Sequence, residues 1–275
     1  MRRFVHFARR RSCAPRPESS TLSRLRTHES TLPTGTETHR PIAIVPIILA
    51  ADSGAALGFP KALAPFGTKT ALQIALENCA GLAPPIVVAS PTLAKQLAGE
   101  VGTVAALYER RICEGEGPAR TGHPISPKEK PALIERRYSC GIRVVLHRRG
   151  RRGQLGSLLA GLRFVAREAP FMIYAVDYPL LTAAVVRRLV KAFETRLAHQ
   201  SIVLPRFRGR AGHPVIFGPE LRGELAQAES ARAVIYRDRA RVKFVTVRDS
   251  SITKDFDTPA AYRRVLEEYM RRFGR

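Results

Sequence analysis

From Ile42 to Leu49 the chain reads IAIVPIIL, apolar throughout, and then breaks into AADSGAALGFPKAL, a loop of small residues ending on Gly58, Phe59, Pro60 and Lys61. A strand-length apolar run has no polar face to turn toward water, so it needs cover on both sides, as in a parallel sheet between helical layers. The small residues after it let backbone N–H groups approach a phosphate, with Lys61 supplying a cation. The competing reading is a solvated loop end, because many α/β proteins turn in this way without holding a ligand.

Downstream, strand-like and helix-like segments alternate. Strands are expected at 42–49, 85–89, 143–147, 171–176, 202–205 and 242–247, with helices at 69–79, 92–99, 155–168, 183–199 and 259–273 and helical patches near 219–226 and 231–236. Such alternation implies right-handed βαβ units, hence an α/β fold of three layers around a mostly parallel central sheet. Ligands of these sheets bind beyond the carboxyl ends of the strands, where Lys61, Asp177 and the glycine-rich loops fall.

Charge and composition bound the rest. The formal charge of +23 comes from 46 Lys and Arg against 23 Asp and Glu. Residues 1–41 carry nine arginines against three glutamates and little apolar periodicity, so they are expected to form a disordered basic extension, with an organelle transit peptide or an extended or misassigned translation start as the competing readings. The stretch 108–141, rich in Gly, Pro and charge, reads as a loop insertion in a domain spanning 42–275. Dispersed basic charge favours acidic ligands, but without aromatic interleaving or a nucleic-acid module it indicates no specific nucleic acid. Four scattered cysteines, Cys13, Cys79, Cys113 and Cys140, form no C-x-x-C pair and fit a reducing cytoplasm. No apolar run reaches the ~20 residues of a membrane-spanning helix. Neither a Ser-His-Asp order nor a G-x-G-x-x-G fingerprint is present, which removes support from hydrolase and dehydrogenase readings.

Five segments, taken in order, resemble the MobA-like nucleotidyltransferases that act on the molybdenum cofactor, whose signature loop runs L-A-A-G-x-S-x-R-M-G-x-x-K. Leu49, Ala50, Ala51, Gly58 and Lys61 match it, while Asp52 stands for the glycine, Ala56 for the arginine and Leu57 for the methionine. Val176-Asp177-Tyr178-Pro179-Leu180-Leu181-Thr182 is similar to a G-D-M-P-L-L-T turn at the end of a strand. Gly153–Leu158, Gly212–Phe217 and Asp255–Pro259 resemble G-x-x-x-S-L, G-H-P-V-x-F and D-x-D-T-P segments. The resemblance covers about 41–269, apart from 108–141.

The resemblance implies a Rossmann-like nucleotidyltransferase, cytoplasmic and Mg²⁺-dependent. Its reaction would move a nucleoside monophosphate from an NTP, CTP being favoured, to a phosphorylated acceptor such as molybdopterin cofactor, releasing pyrophosphate. Lys61 and Asp177 are then the catalytic candidates. Leu49, Ala50, Ala51, Gly58, Lys61 and Ser157 are the nucleotide-binding candidates, Asp177 with Asp255 and Asp257 the metal ligands, and His213 an acceptor contact. Bland alternatives stand beside each of these. Asp177 can be a turn aspartate, Asp255, Asp257 or Thr258 can cap the following helix, Ser157 can cap its own, and His213 can be a structural hydrogen-bonding residue. Ala56 cannot replace a bidentate guanidinium, and Asp52 puts negative charge beside the nucleotide. These two departures favour an alternative, a catalytically impaired relative that binds a ligand or regulates.

Overall fold

In the computed structural model of the chain, residues 42–52, 54–97, 135–137, 141–147 and 153–274 are described. They belong to one unit, Pro41–Arg275. The basic extension 1–41 and most of the insertion lie outside the described residues. The strands are β1 (Val45–Ala50), β2 (Pro65–Phe66), β3 (Lys69–Thr70), β4 (Ile86–Ala89), β5 (Glu135–Arg137), β6 (Arg143–Leu146), β7 (Phe171–Ala175), β8 (Ile202–Phe207), β9 (Arg210–Ala211), β10 (Val215–Phe217) and β11 (Val242–Thr246). The helices are α1 (Ala71–Asn78), α2 (91–97), α3 (Gly153–Leu162), α4 (Ala183–Glu194), α5 (Arg222–Gln227), α6 (Ala231–Arg237) and α7 (Pro259–Phe273).

The main sheet runs β11-β8-β10-β7-β1-β4-β6-β5, with β9 beside β8. β1 pairs in parallel with both β4 and β7, β4 with β6, and β8 with β11; β10 and β5 run antiparallel to their neighbours. The sheet is therefore mixed but mostly parallel. Along β1 the side chains alternate between two cores. Ile48 and Ala50 join the residues of α1, α2 and α4, while Ile47 and Leu49 join those of α3, α5 and α6. This period of two explains the unbroken apolar run, because both faces of the strand are covered.

Pro46 lies in this central strand without costing a ladder bond. Val45 N–H bonds Pro170 O on the β7 side, so the nitrogen of Pro46 faces β4, where pairing begins only at Ile47. Gly161 lets α3 approach closely: a Cβ there would come within 2.7 Å of the Ile47 side chain and 2.9 Å of that of Val88.

Several elements differ from expectation. α1 begins at Ala71, because Thr70 accepts from Gln73 N–H and the Gln73 side chain accepts from Thr70 N–H, a capping box. α3 stops at Leu162 rather than near Glu168: the Arg222 guanidinium takes the carbonyls of Leu162, Val165 and Ala166. α4 ends at Glu194 rather than near His199, where Arg196 donates to Phe193 O and stacks over the Phe193 ring at 3.6 Å. Strands β10 and β5 were not anticipated, and β5 pairs with β6 from within the stretch read as a loop insertion.

One buried polar residue holds the turn that follows β7. Asn78 donates to the Tyr174 hydroxyl at 3.0 Å and to Leu181 O at 2.7 Å. Asn78→Ala would leave both acceptors buried without this donor, so a loss of about 2–4 kcal/mol in unfolding free energy is expected from urea denaturation. A loss below about 0.5 kcal/mol would show that the turn does not depend on Asn78.

Candidate functional site

Within the sheet, β1 is followed by β4 and β6 on one side, and β7 then returns to its other side. The carboxyl ends of β1 and β7 thus form the point at which the strand order reverses, and a crevice opens there. It is a cavity of about 470 Å³, bordered by the β1 loop, the first turns of α3, the end of β7, His213 and the segment before α7.

The loop after β1 closes on itself. Gly54 has φ +61°, its carbonyl accepts from Leu57 N–H at 2.7 Å and Gly58 N–H at 3.0 Å, and a Cβ on it would lie 1.9 Å from Phe59 O. Only glycine fits. The turn feeds into a short 3₁₀ segment, Lys61–Leu63, that buries Lys61 and points its ammonium into the cavity.

Three carboxylates meet that ammonium. Asp52 lies 3.1 Å and Asp177 3.9 Å from Lys61 Nζ, and Asp257 accepts a short hydrogen bond from it. They arrive from separate segments: Asp52 from the β1 loop, Asp177 from the end of β7, Asp257 from the extended residues before α7. Asp52 is further fixed by accepting from Gly54 N–H at 3.0 Å. Phe256 is fully buried against Phe66 and Tyr262, so Asp255 and Asp257 on either side of it face the opposite way and border the cavity. Thr258 caps α7 by accepting from Ala261 N–H, with Pro259 in the first turn, which leaves neither aspartate with that task.

Burial lowers the pKa of Lys61, but the hydrogen bonds to Asp257 and Asp52 and the charge of Asp177 outweigh it and the net shift is upward. Burial pushes Asp177 up to about 6; Lys61 opposes the rise, and the Asp257 and Asp255 charges reinforce it. A carboxyl whose pKa is raised on folding binds its proton more tightly in the native state, so stability falls as pH climbs from about 4 through about 6. Carbon-13 NMR of the carboxylates should show Asp177 titrating near pH 6. A midpoint near 4 would show that Lys61 compensates its burial fully.

Burial, opposed by a backbone hydrogen bond with Ile173, lowers His213 to about 4 and keeps the imidazole neutral. Its ring packs on Tyr178 with centroids 4.8 Å apart. The Tyr178 hydroxyl is pushed upward by burial and by the charges of Asp177, Asp255 and Asp257, so it stays protonated.

Of the residues singled out from sequence, Leu49, Ala51, Lys61, Ser157, Asp177, His213, Asp255 and Asp257 line this one cavity. Ala50 and Gly58 do not. Ala50 turns its side chain into the opposite core, and Gly58 N–H is spent on Gly54 O, which removes it as a phosphate donor. Ser157 is not a cap: it is buried inside α3, which starts at Gly153. Sequence reasoning treated Asp52 only as a liability and missed Gly54, Gln154 and Tyr178 as lining residues. The D-x-G spacing was the available signal for the first two, since a carboxylate two residues before a glycine readily accepts its N–H.

The donor set is all oxygen and suits a hard divalent cation. Asp177 Oδ1 is buried without a hydrogen-bond partner, which leaves a lone pair for such an ion. Among the described residues, no three Asp, Glu, His or Cys side chains are drawn together closely enough to cage a metal by themselves. An ion held by one or two carboxylates, completed by waters and ligand phosphates, fits what is present.

Comparisons with known proteins agree with this architecture. A family model described as the MobA-like NTP transferase domain matches residues 46–242. A search of curated proteins finds no match. Among solved structures, Rv0371c of Mycobacterium tuberculosis is 23% identical with a TM-score of 0.59, covering 82% of this chain and 98% of its own. The manganese complex of Rv0371C is 22% identical with a TM-score of 0.55, covering 82% and 98%. CMP:2-keto-3-deoxy-manno-octonic acid synthetase complexed with CTP is 13% identical with a TM-score of 0.53, covering 84% and 100%. With the family model spanning well over half of the sequence, from the first strand to the start of β11, the chain belongs to the MobA-like NTP transferase family.

Proposed function

We propose that this protein is a divalent-metal-dependent nucleotidyltransferase that moves a nucleoside monophosphate from an NTP to a phosphorylated small-molecule acceptor and releases pyrophosphate. The observation that carries the proposal is the convergence of Lys61, Asp177 and Asp257, from three separate segments, in one cavity at the point of strand reversal. CTP is the favoured donor and molybdopterin cofactor a fitting acceptor, on the likeness of the sequence segments to the molybdenum cofactor enzymes. CTP is also the ligand of one structure that shares the fold. Mg²⁺ is the proposed ion, and a structure that shares the fold holds manganese. A cytoplasmic location is part of this reading, since the scattered cysteines fit a reducing compartment. No described helix is long and apolar enough to cross a membrane.

In this mechanism Lys61 binds the phosphates of the donor and offsets their charge as pyrophosphate leaves. Asp177 would hold the divalent ion with Asp255 or Asp257, and the bound ion supplies positive charge to the phosphoryl oxygens. Asp257 and Asp52 orient the Lys61 ammonium before the ligand arrives. His213 and Tyr178 wall the acceptor side.

The Asp52–Lys61 contact favours a second reading. An ammonium already neutralised by a loop carboxylate, with alanine at position 56, suits a ligand-binding or regulatory relative that has lost turnover. Pyrophosphate release separates the two. The protein, incubated with Mg²⁺ and CTP, GTP or ATP over a panel of phosphorylated acceptors that includes molybdopterin, is expected to release pyrophosphate with one pairing. Nucleotide binding without release from any pairing would support the relative that lacks turnover.

A further inference from the structure

The cavity binds phosphate in the proposed function, yet among the described residues that line it the one lysine is shared among three aspartates and there is no arginine. Phosphate oxygens then need further donors. Ala56 offers none, and Gly58 N–H closes the turn on Gly54.

Tyr178 is suited to that need. It follows Asp177 just after β7, it is one of the residues lining the cavity, and its ring packs on His213 with centroids 4.8 Å apart. Among the described residues nothing accepts from its hydroxyl, and that oxygen is not one of the buried orphan atoms. The hydroxyl is thus not sealed in the core, and its residue borders the cavity. A phenol is neutral over the physiological range, so it can donate to a phosphate oxygen without adding to the charge that the aspartates already carry. In the turn that this segment resembles, the same position holds a methionine, which has no hydrogen to donate.

Resting on the nucleotidyl-transfer reading, we infer that Tyr178 is a ligand-binding residue of this site: its hydroxyl donates a hydrogen bond to a phosphate oxygen of the bound substrates, in place of the donor that Ala56 lacks. The phosphate can belong to the nucleotide or to the acceptor. His213 acts through Tyr178 as a positioning residue, holding the ring so that the hydroxyl is already oriented.

Tyr178→Phe tests this, because it keeps the ring on His213 and removes only the O–H. Calorimetry would measure CTP, GTP and ATP binding in the presence of Mn²⁺, and then glycerol 3-phosphate titrated into protein saturated with the Mn²⁺ nucleotide. Mn²⁺ affinity without nucleotide, by electron paramagnetic resonance, and the melting temperature serve as readouts that a purely structural change would move. The expected result is an affinity lower by about tenfold or more for one of the phosphate ligands, with Mn²⁺ affinity and melting unchanged. Loss in the nucleotide titration assigns the hydroxyl to the donor phosphates, and loss only with glycerol 3-phosphate assigns it to the acceptor. Wild-type affinity in both titrations would overturn the inference and leave nucleotidyl transfer standing. Failure of the wild-type protein to bind any of the three nucleotides with Mn²⁺ would overturn both.

Discussion

Replacing Lys61 with methionine is expected to weaken Mg²⁺-nucleotide binding by roughly a hundredfold, about 3 kcal/mol. Methionine keeps most of the buried stem, so the change isolates the ammonium. That ammonium is the only cation among the described residues lining the cavity, and three carboxylates depend on it. Without it, phosphates enter a pocket bordered by Asp52, Asp177, Asp255 and Asp257, with no positive charge among the other described lining residues. A second effect follows in the empty protein. Lys61 opposes the upward shift of Asp177, so its loss should carry the Asp177 midpoint further above 6. Calorimetry reads the first effect and NMR titration the second. Unchanged nucleotide affinity would place the phosphates elsewhere.

The opposite result is expected from Asp52→Gly combined with Ala56→Arg, which should tighten Mg²⁺-nucleotide binding by more than tenfold. Removing Asp52 frees Lys61 from its 3.1 Å contact and also frees the N–H of Gly54, which Asp52 holds at 3.0 Å. The added guanidinium can bind phosphate through two parallel hydrogen bonds. Each changed charge beside a partly desolvated triphosphate is worth on the order of 1–3 kcal/mol. Equal or weaker binding in a folded double mutant would mean that Asp52 serves the ligand rather than opposing it.

Much of the fold was legible because its signals are local. The apolar run of β1 needs cover on both faces, and the structure supplies it by alternating Ile47 and Leu49 against Ile48 and Ala50. Thr258-Pro259 marks the start of α7 from two residues alone. What was missed depends on partners distant in sequence. α3 ends early because Arg222, some 60 residues later, takes its last carbonyls. β10 is three residues long and becomes a strand only between β7 and β8.

The site follows the same rule. Asp177 was visible as an aspartate at the end of a buried strand, and the Asp255/Asp257 pair as alternating residues around a buried Phe256. That Asp257 reaches Lys61 from 196 residues away is a product of the sheet order, which places α7 beside the β1 loop. Composition could not show that a protein of charge +23 carries an acidic cavity, since only the folded chain gathers those four aspartates. That Tyr178 has no hydrogen-bond partner among the described residues emerges in the same way, from what surrounds it.

The most direct test of this account is calorimetric titration of the wild-type protein with CTP, GTP and ATP, each with Mg²⁺ and again with EDTA, repeated on Asp177→Asn. The account predicts that one nucleotide binds with Mg²⁺, that EDTA abolishes the binding, and that Asp177→Asn weakens it at least tenfold. Silence from all three nucleotides, or binding that survives both EDTA and the loss of the Asp177 charge, would contradict it.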